Sequence, residues 1–260
     1  MTTLTAAETM MIPSETTTSG SFVQRDGSAL AVMPPPEGSE WAALEAGLLA
    51  DLNRARQPRT HGAGEVIFHQ DSPCHGIFCL ERGDVMLRKT DDAGHAVIVR
   101  LAQEGQTLGY RAFLEGVSHA ATASAINECQ VGFIDGAVFN DLLARSPTLS
   151  RRLLHRFARE LREAEEQRLH AAYLTVRARL AQVLLQTRHR FGRVDDDGSL
   201  VVQLPFSRQD LAAFIGARRE SVARAIAALR NDDVVQFQGR NAYVADLDAL
   251  FDEVEPGPTS

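Results

Sequence analysis

The spacing of the apolar residues changes along this chain, and each spacing predicts a different kind of element. From about residue 60 to 135, short apolar runs such as Val66–Phe68 alternate with glycine-containing turns, a pattern typical of a β-barrel or sandwich. Residues 40–56 carry leucines at helical spacing and predict a short helix before this region. Residues 1–38 are rich in Thr, Ser and Pro without a period, so we expect them to be disordered.

The pattern becomes helical from residue 137 to 187. Ser146-Pro147 predicts the start of a long helix, because proline is tolerated in a first helical turn. Apolar residues then recur in alternating steps of three and four, between faces rich in Arg and Glu. This favours a coiled-coil-like dimer helix over a helix that packs only within its own chain. The predicted dimer positions, apolar except for one arginine, are Leu154, Phe157, Leu161, Ala164, Arg168 and Ala171.

Residues 206–229 carry the most informative pattern. Ser207 and Asp210 have the spacing of a helix capping box, Gly216 supplies a tight turn, and a second helix with an apolar stripe follows. Two short helices joined by a turn that contains Gly form a helix-turn-helix. The strand-like runs of residues 234–244 then predict a hairpin, the wing of a winged helix domain.

Two charged side chains of the second helix point away from its apolar stripe, and a third lies at the margin of the stripe. At 100° per residue, Glu220 and Arg224 lie on the opposite face and Arg219 lies at its margin, near the N-terminus of the helix. A recognition helix presents side chains to the major groove of DNA from this position. The competing interpretation is an (i, i+4) ion pair between Glu220 and Arg224 on a solvated helix face.

The charge distribution fits a basic DNA-binding region within an otherwise acidic chain. The formal net charge is −7, yet residues 175–245 hold 11 Arg and 7 Asp or Glu, which leaves +4 there and −11 elsewhere. No apolar run reaches the roughly 18 residues of a membrane helix, and the N-terminus lacks the pattern of a signal peptide. The three cysteines show no zinc or disulfide spacing and fit a reducing compartment, so we expect a cytoplasmic protein.

The order of a β-roll, a long helix and a winged helix-turn-helix resembles the catabolite-activator/FNR (CRP/FNR) superfamily of bacterial transcription regulators. The resemblance covers about residues 45–245 and is carried by Ile77–Val85, Leu174–Ala181, Ser207–Leu211 and Arg219–Arg224. It implies an α+β fold. The N-terminal β-roll would be of the cyclic-nucleotide-binding type, a double-stranded β-helix, followed by a dimerisation helix and a C-terminal winged helix-turn-helix.

The expected organisation divides the chain into five segments. These are a disordered segment 1–38, a β-roll sensor domain 39–146, a dimerisation helix 147–173, a winged helix-turn-helix domain 174–250 that begins with a hinge, and a tail 251–260. An effector that favours one of two hinge states would change the affinity of the dimer for DNA.

The resemblance implies a homodimeric, sequence-specific transcription regulator rather than an enzyme, with double-stranded DNA and RNA polymerase as partners. Arg219 and Arg224 would donate to guanine O6 and N7, and Glu220 would accept from cytosine N4. The same three residue types in the family read palindromes with TGTGA-type half-sites. The predicted contacts to the DNA backbone are Ser207, Arg208, Gln209, Arg218 and Ser221.

The sensor half departs from the family pattern. In members that bind cyclic nucleotides, a Glu holds the ribose and an Arg-Ser pair holds the phosphate, but Tyr110 and His119-Ala120 stand in those places here. A neutral histidine does not replace a guanidinium as a phosphate ligand, and Glu165 would repel an anion. We therefore do not expect this pocket to bind cyclic AMP in the way that the cyclic-nucleotide-binding members do. Arg111 could supply the missing positive charge, so a small anionic effector remains an alternative. The predicted pocket positions are Gly109, Tyr110, Arg111, Ala112, His119, Ala120, Ala164 and Glu165.

Other sensor chemistries find little support in the sequence. An iron–sulfur cluster of the FNR type needs cysteines near the N-terminus, and residues 1–73 contain none. Cys74 is a better candidate for a redox-reactive thiol than Cys79, which lies in an apolar strand, and Cys129 has no assigned role. Phosphate-binding and nucleophile motifs are absent. We predict no metal and no cofactor. A haem sensor remains an alternative, with His75, His95 and His119 as available axial ligands.

Overall fold

The computed structural model describes residues 39–195, 199–244 and 246–254. The disorder expected for residues 1–38 lies outside this part of the chain. The helix predicted over residues 40–56 is present as two pieces, a 3₁₀ helix at Glu40–Ala43 and α1 at Ala46–Ala55. They are separated because Leu44 has extended backbone angles, with φ −71° and ψ 138°.

The β-roll predicted from the apolar runs is confirmed. Its strands pair antiparallel in two four-stranded sheets, in the orders β1-β8-β3-β6 and β2-β7-β4-β5. The strands are β1 (Gln57–His61), β2 (Val66–Phe68), β3 (Gly76–Arg82), β4 (Asp84–Thr90), β5 (Ala96–Gln103), β6 (Thr107–Leu108), β7 (Thr122–Ala125) and β8 (Cys129–Asp135). Gly83 turns the chain between β3 and β4 with φ +94°, where a Cβ would lie 2.6 Å from a backbone oxygen.

Two hydrophobic clusters hold the β-roll. One contains buried side chains from both sheets, with Leu80 and Val85 among them. The other lies where Ile77 on the first sheet packs against α1, α2 (Tyr110–Glu115), α3 (Gly136–Arg145) and the beginning of the next, long helix. This second cluster sets the position from which that helix leaves the roll.

The long helix α4 (Pro147–Tyr173) has 27 residues and begins where Ser146-Pro147 predicted. The Ser146 hydroxyl caps it by accepting a backbone N–H of the first turn. Leu154 and Leu161 on this helix are exposed by 68% and 62%. After a two-residue break the chain continues as α5 (Val176–Phe191).

The C-terminal part forms the predicted winged helix-turn-helix around one core. A four-stranded sheet has the order β11-β12-β10-β9, and β11 and β12 are the predicted wing hairpin. The elements are β9 (Gly192–Val194), β10 (Leu200–Gln203), α6 (Arg208–Ile215), α7 (Arg219–Asn231), β11 (Gln236–Gln238), β12 (Asn241–Val244) and α8 (Leu247–Asp252). The run Asp195-Asp196-Asp197-Gly198 has the composition of a turn between two strands, and residues 196–198 lie outside the described residues.

The winged domain continues beyond the boundary expected at residue 250. Leu250 on α8 is fully buried in the core of this domain. Arg177 at the start of α5 pairs with both Asp232 and Glu253. The chain therefore belongs to the domain at least as far as Glu253, because these contacts hold α8 against α5.

The β4–β5 hairpin of the roll contacts the winged domain directly. Leu101 of β5 packs against the core of that domain. The buried Asp84 accepts a hydrogen bond from Arg190 Nε at 3.0 Å, and Arg88 pairs with Asp210, a member of the capping box of α6. The hairpin thus holds the first helix of the helix-turn-helix in place.

Two glycines should respond in opposite directions to the same substitution. Gly216 ends α6 with φ +66°, so Gly216→Ala should cost about 1 kcal/mol of unfolding free energy although its nearest neighbour is 3.8 Å from the new Cβ. Gly47 lies in α1 with open space around it, so Gly47→Ala should stabilise by about 0.5 kcal/mol. Urea denaturation of the two variants measures both values; equal effects would refute this assignment.

Candidate nucleic-acid interface and sensor pocket

The capping box and the glycine turn orient the two helices of the helix-turn-helix. The Ser207 hydroxyl accepts the N–H of Asp210 at 3.1 Å, and the Asp210 carboxylate accepts the backbone N–H of Ser207 at 3.1 Å. Gly216 then adopts the left-handed conformation that ends α6. Because these contacts join residues close in sequence, the local pattern was sufficient to predict them.

The helix α7 buries one face and exposes its charges on the other. Val222, Ala225 and Leu229 are buried, whereas Arg219, Glu220 and Arg224 are exposed, as the sequence predicted. Arg224 donates to Ser221 Oγ at 3.3 Å. Within the described part of the chain, Arg224 and Glu220 form no ion pair with each other, so their charges remain available to a partner.

A groove of about 470 Å³ runs along the N-terminal half of this helix. Its lining residues are Arg208, Arg219, Glu220, Val222, Ala223 and Ile226. Arg208 also donates to the carbonyl of Gly239 at 3.1 Å and lies 5.3 Å from the centre of the Phe237 ring. Arg208 therefore connects α6 to the wing beside two of the predicted base-reading side chains.

The predicted backbone-contact residues do not share one environment. Arg208, Gln209 and Arg218 are exposed, and Ser221 is half-buried. The Ser207 hydroxyl donates to the Asp210 carboxylate at 2.6 Å, so it is engaged within the capping box. Their contacts to phosphate remain predictions.

Most of the predicted effector-pocket residues surround one cavity. Gly109, Tyr110, Arg111, Ala112, His119 and Ala120 line it, and its volume is about 40 Å³. Ala164 and Glu165 do not line it. They lie on the exposed surface of α4, because the face of the helix that meets the roll carries Leu149, Leu153 and Arg156 instead.

Two charged residues that were not among the predicted pocket positions lie at this pocket, one in its wall and one behind it. Arg100 of β5 is part of its wall, and Glu160 of α4 lies 3.3 Å from the Arg100 guanidinium and 3.9 Å from that of Arg111. Arg100 was visible as the single cation inside the apolar strand Val97–Ala102. No comparable signal singled out Glu160 among the many glutamates of α4.

Aromatic packing and burial complete the pocket. The His119 ring is stacked on Phe68 with centroids 3.9 Å apart. Burial, with a smaller contribution from His75, lowers the pKa of His119 and keeps its imidazole neutral. Burial and the nearby Glu160 carboxylate raise the pKa of Tyr110, so its hydroxyl stays protonated. Neither side chain supplies the positive charge that a phosphate group needs.

The surroundings of all three cysteines favour the protonated thiol over the thiolate. The Cys74 thiol donates to the carbonyl of Gly76 at 3.2 Å, and burial raises its pKa. Burial also raises the pKa of Cys79 and of Cys129. In the portion of the chain that the structure describes, no group of three or more His, Cys, Asp or Glu residues is arranged to hold a metal ion.

The described helices include none that is both long and apolar enough to cross a membrane.

Two family models match the chain. A cyclic nucleotide-binding domain matches residues 58–146, and a Crp-like helix-turn-helix domain matches residues 178–252. The two matches correspond to the β-roll and to the winged domain described above.

Whole-chain relatives agree with this division. A CRP-like cAMP-activated global transcriptional regulator of Mycobacterium tuberculosis is 23% identical over 207 residues, which cover 80% of this chain and 92% of the relative. The cAMP-activated global transcriptional regulator CRP of Salmonella typhimurium is 26% identical over 181 residues, 69% of this chain and 85% of the relative. The structure of FixK2 from Bradyrhizobium japonicum has the same fold, with a TM-score of 0.66, 24% identity and coverage of 78% and 98%. This chain belongs to the CRP/FNR superfamily of DNA-binding transcription regulators.

Proposed function

We propose that this regulator works as a homodimer that reads a palindromic DNA operator through two copies of α7 and acts on transcription through RNA polymerase. The single observation that carries the proposal is the exposed set Arg219, Glu220 and Arg224 beside the groove on α7. The major groove of B-DNA admits an α-helix. Two such helices on a two-fold dimer enter successive major grooves about 34 Å apart.

The residue types at these positions support a TGTGA-like half-site. Each arginine matches the two acceptors of guanine, O6 and N7, and Glu220 matches the N4 donor of cytosine. A TGTGA-like half-site offers two guanines on one strand and a cytosine opposite each. Arg208, Gln209, Arg218, Ser207 and Ser221 are proposed to bind the flanking phosphates and to set the register.

Replacing Arg219 should relax the choice of sequence. Arg219→Ala removes a bidentate contact and should cost about 1–3 kcal/mol of discrimination against a changed guanine. The measurement is a fluorescence-anisotropy titration on a TGTGA palindrome and on singly changed sites at fixed salt. Arg230→Ala, on the exposed C-terminal end of the same helix, is the matched control and should keep the discrimination. Full selectivity in Arg219→Ala would contradict the base-reading role.

The dimer interface is proposed along the exposed apolar side of α4. Leu154 and Leu161 lie two turns apart, and both are exposed on a helix whose other face packs on the roll. Phe157 is half-buried against the roll, while Ala164, Arg168 and Ala171 are exposed. Leucines spaced by seven residues on an exposed helix face are typical of a coiled-coil seam.

A charge on this seam should separate the subunits. Leu161→Glu would bury a carboxylate against its symmetry mate, so we expect monomers at micromolar concentration in sedimentation equilibrium. Arg162→Glu places the same side chain one position away, on the solvent side, and should leave the dimer intact. A dimeric Leu161→Glu protein, or a monomeric wild type with and without DNA, would refute the interface.

The pocket does not favour cyclic AMP as the effector. Its volume of about 40 Å³ compares with about 300–1,000 Å³ for small-molecule sites. We therefore expect no change in Tm of the wild-type protein at about 1 mM cyclic AMP, whereas the cAMP-activated relative from Salmonella, run in parallel, should be stabilised. A rise in Tm of this protein would restore the cyclic-nucleotide hypothesis.

Two further effector classes stand as alternatives. A small anion could use Arg111 and Arg100, and a haem would need an axial ligand such as His119, which is instead stacked on Phe68. Native mass spectrometry and absorbance of the protein purified from its own host separate these classes, because haem absorbs near 400 nm and a small anion does not.

A further inference from the structure

A buried ionic network crosses the boundary between α4 and the β-roll. Glu160 on α4 accepts from Arg156 Nε at 3.0 Å and faces Arg100 of β5 at 3.3 Å. Arg156 also pairs with Glu40, whose second oxygen accepts the Thr107 hydroxyl at 2.8 Å. All of these groups are largely withdrawn from water, since the Arg156 side chain is 4% exposed and those of Arg100 and Glu160 are each 15% exposed.

Glu160 does not line the cavity itself, but it faces both of the cations that an anionic ligand of the pocket would need. Arg100 and Arg111 are the two cations of the pocket wall, and both face this one carboxylate. The second oxygen of Glu160 and the Tyr110 hydroxyl are both buried, and hydrogen bonding between these two groups contributes to the raised pKa of Tyr110. The remaining cavity of about 40 Å³ has room for a water molecule but not for a nucleotide.

Glu160 supplies half of the negative charge in this network. Arg100, Arg111 and Arg156 supply three positive charges, and Glu40 and Glu160 supply two negative ones. Without Glu160, Arg100 and Arg111 would lose the carboxylate that they face. Removing one partner of a buried pair is strongly destabilising because the other charge stays desolvated.

The same carboxylate connects the dimer helix to the DNA-binding domain. Arg100 precedes Leu101 in β5, and Leu101 packs against the core of the winged domain. Side chains of successive strand residues point to opposite faces. A contact from α4 to Arg100 therefore constrains the strand that also holds the DNA-binding domain.

We propose that Glu160 is an internal ligand of the sensor pocket: its carboxylate fills the anion site, couples α4 to β5 without a small molecule, and leaves a receptor for short carboxylates when it is removed. This inference deepens the proposed function and rests on it only where operator binding is the readout. The regulator is then independent of an anionic effector at this pocket.

Chemical rescue tests the proposal. Glu160→Ala deletes two carbons and two oxygens, which are the heavy atoms of acetate. The variant should lose about 5 °C or more in Tm, and acetate at about ten times its dissociation constant should return about 4 °C. Acetamide, which is neutral and of similar shape, should return nothing. Sodium chloride at matched ionic strength is the salt control.

Glu166→Ala is the matched control variant. Glu166 lies on the same helix, is exposed, and pairs only loosely with Arg162 at 3.9 Å. It is preferred to Glu163, which also acts on the pKa of Arg100. Neither the wild type nor Glu166→Ala should respond to acetate more than to chloride. An unchanged Tm in Glu160→Ala, or equal effects of acetate and acetamide, would overturn the proposal.

A double-mutant cycle covers the case in which Glu160→Ala does not fold. Glu160→Gln keeps the shape of the side chain, and Arg100→Gln replaces the guanidinium with a shorter neutral amide. The summed Tm losses of the two single variants should exceed the loss of the double variant by about 2 °C or more. Additive losses would show that the pair is not coupled and would refute the internal ligand.

Operator binding separates this proposal from the function on which it rests. Glu160→Ala should bind the palindrome about tenfold more weakly, and acetate should restore the affinity. If acetate restores the Tm but the wild type binds no palindrome, the operator proposal fails and the internal ligand stands. If the wild type binds the palindrome and acetate restores nothing, the internal ligand fails alone.

Discussion

Burying an arginine and a glutamate on one face of α4 obliges the rest of the protein to supply their counter-charges. Arg156 and Glu160 lie against the roll, where an unpaired charge would be costly. Their partners come from Glu40 before the roll and Arg100 in its fifth strand. Because these groups are far apart in sequence, satisfying them fixes α4 against the roll in one arrangement, and the DNA-binding domain follows α4 in the chain.

The hairpin that carries Arg100 has a second role. Its strands contact α6 through Leu101 and the pair of Arg88 with Asp210, while Asp84 pairs with Arg190 of α5. One β-hairpin is therefore in contact both with the helix proposed to pair the subunits and with the helix-turn-helix. A change in the sensor pocket has a short physical route to the orientation of α7, through packed side chains and ion pairs rather than through the hinge alone.

The parts of the protein that were predictable depend on contacts between neighbours in sequence. The capping box of Ser207 and Asp210, the turn at Gly216 and the exposed charges of α7 follow from helical spacing. The break at Leu44 and the continuation of the winged domain to Glu253 were missed. Both are decided by tertiary contacts, since Trp41 and Leu44 join the core beside α3, and Glu253 is held by Arg177.

The sequence by itself determined the order of the elements and the exposed charged face of α7, because both depend on residue type and spacing. Only the tertiary structure decided what fills the sensor pocket. Glu160 and Glu165 are the same residue type on the same helix, and they differ in the face of α4 on which they lie. The packing of that helix turns Glu160 towards Arg100 and leaves Glu165 exposed to solvent. The rotation of a helix about its own axis relative to the roll is set by contacts between residues distant in sequence.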